Sequence, residues 1–468
     1  MRKQILKFIL LCIPLILGCA GLMLSGERPA DSMYISICMY GMDCQDPTPN
    51  LLVELARWTA PLATASGVLM VFSRLRRRLT AWCRYIGGGS VAVYGPEREE
   101  LLAGLGRRGI DGGGDFSFVR AGSYILLGRE EENFDFYQRN RAALKGCSVY
   151  LQCRFLPAQS ISDPELHLFS HEETAARLFW KKYCLFKCSV QNRHQMKIVF
   201  LGFGVLGEEL LTYALQDNIF APDQKIEYHI FGDGDRFLSI HTELGAISDP
   251  ILFHREPWYE SLSLIEGAQT VIILEQEEQL DLVKDLLLAT RRNAFAVFAS
   301  REELELLSGR ERLMLFYWQE LARKPEYIMG DALFERAKNI NLHYASFYHH
   351  VPENEESKEN EWVKLDAFTR YSNISAADYH EICRIMLKEM GQPVSGPAPE
   401  CLELLSELEH IRWCRYHYLN NWKYGVPNDG KPKDAVRRIH TDLIPYKELP
   451  EEEKRKDREN IRTLLSMR

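Results

Sequence analysis

The stretch Lys197-Ile198-Val199-Phe200-Leu201 runs straight into Gly202-Phe203-Gly204-Val205-Leu206-Gly207, and Glu208 to Leu215 continues with a helical pattern. A short apolar strand, a glycine-spaced turn and a helix are the opening of a βαβ unit. Each glycine has its own reason to be there: Gly202 permits the tight turn, Gly204 leaves room for a phosphate beside the backbone, and Gly207 lets helix and strand pack closely. The helix start at Val205 offers free N–H groups and the positive end of a dipole. Downstream, Lys225 to Phe231 reads as the next strand and ends at Gly232-Asp233-Gly234-Asp235. That places a carboxylate where a ribose hydroxyl would be held, with Asp233 the first candidate and Asp235 the second. Strands at Thr270 to Leu274 and Ala294 to Ala299, around a helix at Gln279 to Thr290, complete a doubly wound sheet over residues 194–330. The fold class is therefore α/β. A purely structural glycine turn is the competing reading, and Glu208-Glu209 would repel a pyrophosphate that came too near.

Residues 87–193 repeat the alternation less completely. Ser90 to Tyr94, Ser123 to Leu127 and Ser148 to Cys153 read as strands, with helices from Glu97 and over Asn133 to Leu144. The first turn is Gly95-Pro96-Glu97, without the glycine spacing, so this unit is a degenerate Rossmann-like copy.

Residues 1–84 carry two apolar runs, Ile5 to Leu24 and Leu51 to Phe72. Roughly 20 apolar residues span a bilayer, so a pair of transmembrane helices is expected. Arg2, Lys3 and Lys7 before or at the edge of the first run, and Arg74, Arg76, Arg77 and Arg78 after the second, put both basic flanks inside the cell, and Glu27, Asp31, Asp43 and Asp46 mark the outer loop. The expected location is an inner membrane, with the bulk of the chain cytoplasmic and the bilayer as a partner. A cleaved signal around Ile16-Leu17-Gly18-Cys19 is the alternative for the first run. Glu54 and Arg57 share a helical face as a polar pair, either facing protein or water or snorkelling at the interface.

The 468 residues, 46% hydrophobic and 26% charged, predict about three folded units. A net charge of -8 with no basic patch interleaved with aromatics argues against nucleic acid as a partner. The twelve cysteines lack paired CxxC spacing and suit a reducing compartment, apart from Cys38 and Cys44, which could pair outside or stay free. No metal spacing, nucleophile elbow or P-loop lysine appears, so no catalytic residues are assigned and the chain is not read as an enzyme.

From Ala332 onward helical signals dominate, divided into 331–400 and 401–468. A shift of 84 residues aligns Trp362 with Tyr446 and Leu365 with Leu449, and a shift of 69 aligns Tyr344 with Trp413, so an internal duplication is expected. The second half reads Leu408-Glu409-His410-Ile411-Arg412-Trp413, Tyr416-His417, Asn421-Trp422-Lys423-Tyr424-Gly425, Lys433-Asp434, His440, Tyr446 and Lys456-Asp457. Physically, Trp413, Trp422 and Tyr424 offer ring faces to a flat base, and Arg412, Lys433 or His440 could meet phosphate. The bland alternative is that the aromatics are core and the charges a solvated rim.

That second half strongly resembles the ryanodine-receptor (RyR) repeat domain, and residues 331–400 resemble it more faintly. Two successive Rossmann units behind a membrane segment, with His167 to Glu172 and Ala175 to Leu178 closing the first, resemble the TrkA-N (RCK) modules that regulate potassium channels and transporters. This resemblance implies NAD(H) or an adenine nucleotide as ligand, with Gly202, Gly204, Gly207 and Asp233 as contacts. The first unit's missing glycine fingerprint and the lack of a potassium filter depart from the pattern. The expected function is a membrane-anchored nucleotide-sensing receptor or channel-type protein, with ligand binding coupled to the transmembrane helices, usually a symmetric homo-oligomer. A non-conducting scaffold or effector in bacterial nucleotide defence signalling is the alternative, and an NAD-dependent oxidoreductase a further one.

Overall fold

The computed structural model describes residues 2–43, 50–153, 166–275, 278–291, 294–299, 304 and 313–466. The chain divides into two compact units. The first comprises Met1–Ala92, Arg107–Gly112 and Ser117–Gly122, and the second the remainder.

In the first unit, helices α1 (Arg2–Leu24), α2 (Pro29–Cys38) and α3 (Leu51–Ile86) pack around Leu22, Met39, Val53, Ala56 and Ala60. The approach of α1 to α3 requires a glycine: a Cβ on Gly21 would lie 2.8 Å from Val53 Cγ2 and 2.9 Å from the Val53 amide nitrogen. Asn50 caps α3 by accepting from the Leu52 N–H, and its amide donates to the Gly21 carbonyl.

Among the described residues no helix is long and apolar enough to cross a membrane, which corrects the expected pair of transmembrane helices. The second apolar run does not end at the arginine cluster. It continues through it as one helix of 36 residues with Pro61 inside. Glu54 and Arg57 sit in the first two turns, and Thr59, Thr64, Ser66 and Gly67 dilute the apolar stretch between Arg57 and Arg74. The first run lies in a helix that carries Lys3 and Lys7 and contains Pro14. Cys38 is a free thiol, and Cys44 lies outside the described residues.

Strands β1 (Val91–Tyr94) and β2 (Gly109–Gly113) contribute residues to both units. In the second unit, α4 (Arg98–Leu105) precedes β3 (Ser123–Leu126), α5 (Glu130–Leu144), β4 (Ser148–Gln152) and β5 (Leu166–Phe169). β3, β4 and β5 form a parallel ladder. Helices α6 (His171–Lys182) and α7 (Phe186–Gln191) lead to the second sheet.

That sheet holds β6 (Gln195–Leu201), β7 (Lys225–Phe231), β8 (Ile251–His254), β9 (Thr270–Ile273), β10 (Ala294–Val297) and β11 (Leu313–Leu315), all parallel, in the order β11-β10-β9-β6-β7-β8. The order reverses between β9 and β6, directly beside the glycine turn. Helices α8 (Gly204–Asp217), α9 (Asp235–Ile240), α10 (Leu262–Gly267) and α11 (Gln279–Ala289) connect its strands. The ends of β6 and β9 that are covered on both faces read as continuous apolar runs, Ile198 to Leu201 and Val271 to Ile273, whereas β7 alternates, Lys225-Ile226-Glu227-Tyr228-His229.

The C-terminal part is helical: α12 (Trp318–Ala322), α13 (Pro325–Ile328), α14 (Asp331–His349), α15 (Glu355–Lys364), α16 (Ala367–Glu389), α17 (Pro399–Leu419) and α18 (Glu451–Ser466). A small sheet of β12 (Lys423–Tyr424), β14 (Ile439–His440) and β13 (Lys433–Asp434) lies between α17 and α18 in sequence. These helices share one core with the second sheet, in which Trp180, Phe200 and Leu211 join Tyr379, Met386, Leu405 and Leu465. Polar seams run through it. Arg415 of α17 pairs with Asp249 at 2.8 Å, Ser375 donates to Gln216 at 2.6 Å, and the Tyr379 hydroxyl donates to the Ile219 carbonyl at 2.7 Å.

Candidate functional site

Two cavities collect the residues singled out from the sequence. The first, of about 1020 Å³, opens beyond the carboxyl ends of β6, β7, β8 and β9, the place where open α/β sheets bind ligands. Gly202, Asp233 and Asp235 line it. Gly202 has φ +88°, its N–H donates to Phe231, and an added Cβ would fall 2.9 Å from the Glu275 backbone nitrogen. The Asp233 carboxylate accepts the Asp235 N–H at 3.0 Å, closing the turn that starts α9.

The other turn residues face elsewhere. Gly204, at φ +58°, opens α8 with nothing within 4 Å of an added Cβ. Gly207 lies under the Phe203 ring, 2.6 Å from where a Cβ would stand, so it serves helix–strand packing. Val205 lines a separate cavity of about 300 Å³ with Glu208, Glu209 and Tyr213. There Glu208 pairs with Arg236 at 2.7 Å, and burial, then neighbouring Glu173, pushes the Glu209 carboxyl far above its usual range.

The lining of the large cleft decides what it can accept. Seven carboxylates, among them Asp233, Asp235, Glu275 and Asp281, stand against the guanidinium of Arg255. Such a field disfavours a polyanion unless its phosphates lie outside the cleft.

The second cavity, about 600 Å³, is lined by Arg412, Trp413, Trp422, Lys433 and His440. Tyr424 is not among its walls and is 57% exposed. The helical period of α17 puts His410, Trp413 and His417 on one face. Just past the end of α17, Asn421 has φ +61°, and the Trp422 N–H donates back to the His417 carbonyl at 2.9 Å. The small sheet sets Lys433 opposite His440.

Rings dominate the walls. His410 stacks on Trp413 at 5.7 Å and 21°, and Trp413 and His417 have centroids 3.9 Å apart. His440 meets Trp413 edge-on at 5.0 Å, and Phe368 stacks on Trp422 at 5.2 Å and 26°. Tyr344 of α14 and Trp413 of α17, which the 69-residue shift pairs, face the same cavity.

The polar groups are less available than their types suggest. Arg412 is buried and donates twice to Glu409, at 2.7 and 2.8 Å, and once to Ser375 at 2.8 Å. Its guanidinium therefore organises the wall rather than facing a ligand. The His410 Nε2–H donates to the Ile444 carbonyl at 2.8 Å, which leaves Nδ1 as an acceptor 3.6 Å from Asp457. Burial lowers the pKa values of His410, His417 and His440, that of His417 to about 3, so these three imidazoles are neutral at pH 7. Burial, then Glu409 and Glu453, pushes the Asp457 carboxyl up to about 8. Lys433 is exposed at the rim.

Phe368 and Asp457 were not chosen from the sequence. Phe368 comes from the first turn of α16, where no local pattern links it to Trp422. Asp457 stood in the Lys456-Asp457 pair, whose charge reads as ordinary helix surface. Glu54 and Arg57 of the first unit lie 3.6 Å apart, 42% and 44% exposed.

Residues 394–467 match the family model of the RyR domain. The C-terminal segment, with α17, the small sheet and α18, is thus a RyR domain. No curated protein and no solved structure matches the chain.

Proposed function

We propose that this protein is a receptor for a nucleotide-type small molecule, NAD(H) or an adenine nucleotide, whose flat ring is held in the cavity of the RyR domain. The observation that carries this reading is the convergence of Trp413, Trp422, His417, His440 and Phe368 on one 600 Å³ space with Lys433 at its mouth. Stacked rings hold a base, and a rim ammonium reaches phosphate without being buried. The two Rossmann-like sheets are read as TrkA-N-type modules that respond to this event. Arg412 reaches Ser375 on α16 and Arg415 reaches Asp249 beside β8, so a shift of α17 is felt by the second sheet.

A second reading puts a nucleoside in the cleft beside Gly202, favoured by Gly202 and Asp233 both lining it at the carboxyl ends of the strands. Thermal unfolding of the full chain with NAD+, NADH, ADP and ATP tests both. A saturable stabilisation lost in Trp422→Ala and kept in Asp233→Ala supports the RyR cavity. Loss in Asp233→Ala alone favours the cleft beside Gly202, and no shift with any of them overturns the receptor reading.

A further inference from the structure

We infer that Asn341, on α14 and ahead of the residues that match the RyR domain, is a ligand-contacting residue of the RyR cavity, its amide hydrogen-bonding the uncharged part of the bound nucleotide. This rests on the reading of the cavity as a nucleotide site.

The position of Asn341 is unusual for its chemistry. Phe334, Ala337 and Ile340 of α14 share a core with Ile374 and Ala377 of α16. Asn341 stands one helical turn after Ala337 and one turn before Tyr344 and Ala345, in the same buried stripe. It is 6% exposed, and it lines the cavity together with Tyr344 and Ala345. A helix that had only to pack would carry an apolar residue there.

The amide is also uncommitted. Other polar groups of the walls are held by the protein itself: Arg412 by Glu409 and Ser375, His410 by the Ile444 carbonyl, and Lys456 by Glu453. Among the described residues, the Asn341 side chain has no hydrogen-bond partner. A primary amide brings two N–H donors and an acceptor oxygen. Buried without partners, such a group destabilises the fold until something in the cavity meets it. Asn373 of α16 and Asn460 of α18 line the same cavity, half-buried and likewise without a side-chain partner among the described residues.

The internal repeat gives the position a counterpart. The 69-residue shift that aligns Tyr344 with Trp413 also aligns Asn341 with His410, and both pairs face the one cavity. In α17 the repeated position is tied to Ile444 and forms wall, whereas in α14 it is left open. The chemistry of an amide narrows what it can meet. Phosphate oxygens only accept and would leave the amide oxygen unpaired, while a base or a ribose offers donors and acceptors together. Lys433 at the mouth remains the group for phosphate.

The test titrates the full chain with adenosine and with ADP by calorimetry, beside thermal unfolding without ligand. Asn341→Leu, close to the native side chain in volume, should melt at the native temperature or above it, because it removes a buried polar group that had no partner. Its affinity for both molecules should fall by the same factor, about 10-fold. Asn341→Ala, which adds no bulk, should lose affinity equally, so that crowding by the leucine is not the cause. Unchanged affinity in Asn341→Ala, while Trp413→Ala still loses binding, overturns the assignment of Asn341 and leaves the cavity reading standing. A loss confined to ADP places the amide on phosphate and overturns its assignment to the uncharged part. If neither molecule binds the native chain, or binding ignores Trp413→Ala, the cavity reading fails and this inference with it.

Discussion

The Arg177 guanidinium on α6 donates through Nε to the Asp378 carboxylate on α16 at 2.5 Å, joining residues 201 positions apart in a fully buried pair. A second donation from Arg177, at 3.2 Å, and the Lys181 ammonium complete the arrangement. Burial works against the Asp378 charge, but Arg177 and Lys181 outweigh it and hold the carboxyl below its ordinary range. Asp378→Ala leaves a buried guanidinium without its counter-charge and is expected to cost about 3–5 kcal/mol in denaturant unfolding. The double variant Arg177→Met with Asp378→Leu should recover most of that loss. A single Asp378→Ala change that costs no more than an ordinary surface substitution would show that the pair does not hold α16 to α6.

The glycine turn separates two costs that look alike in sequence. Gly202→Ala meets both a left-handed φ of +88° and the Glu275 backbone, which cannot move aside. It should destabilise by more than about 2 kcal/mol. Gly204→Ala keeps open space around its new Cβ and should cost only about 1 kcal/mol. Thermal melts of the two variants, made side by side, check the order, and equal losses would contradict it.

How far these features were legible follows from how local their causes are. The second sheet was readable because strand, turn and helix signals are local: the expected strand at Lys225 to Phe231 is β7 itself, and the helix expected at Gln279 to Thr290 is α11. β8 was missed because its half-exposed residues have no buried run, and β11 because three residues carry no period. The strands of the RyR sheet have two residues each and leave no pattern at all. Aromatic spacing on α17 announced Trp413, whereas Phe368 reaches the cavity only through tertiary packing. The seams at Arg177–Asp378 and Arg415–Asp249 have no sequence signature either, since each partner alone reads as a surface charge. The membrane expectation rested on two apolar runs and their flanking charges, and among the described residues no helix is long and apolar enough to cross a membrane.

His380 gives a pH dependence of known sign. Both ring nitrogens are buried without a hydrogen-bond partner, and burial, then Arg336 and Arg384, pushes its value down to about 3. Between the ordinary value of 6.5 and about 3, the unfolded chain takes up a proton that the folded chain refuses. Its contribution to stability is therefore present above pH 6.5 and lost as the pH falls through that window, at roughly 1.4 kcal/mol per pH unit. Asp457 and the buried Asp217, both raised, titrate in the opposite sense, so the native chain's own profile mixes the two. The difference between His380→Leu and the native chain isolates the histidine. The variant should be as stable or more so at pH 7, with an advantage that grows toward pH 5. A difference independent of pH would mean that the imidazole titrates normally.

Trp422 and Tyr424 are two residues apart and should behave oppositely. The Trp422 indole is 6% exposed, stacked on Phe368, and forms a wall of the RyR cavity, while Tyr424 is 57% exposed and lies off it. Losing a stacking face costs about 1–3 kcal/mol of base binding, or roughly 5- to 150-fold in affinity. Trp422→Ala also empties a buried site, at about 3–5 kcal/mol of stability. Half-buried Trp413 is the better probe for titration, because truncating it removes less from the core. Calorimetry with ADP should therefore show a large loss for Trp413→Ala and none beyond error for Tyr424→Ala. Equal losses for the two would mean that the ligand lies over the outer face of the small sheet instead of inside the ring of His410, Trp413 and His417.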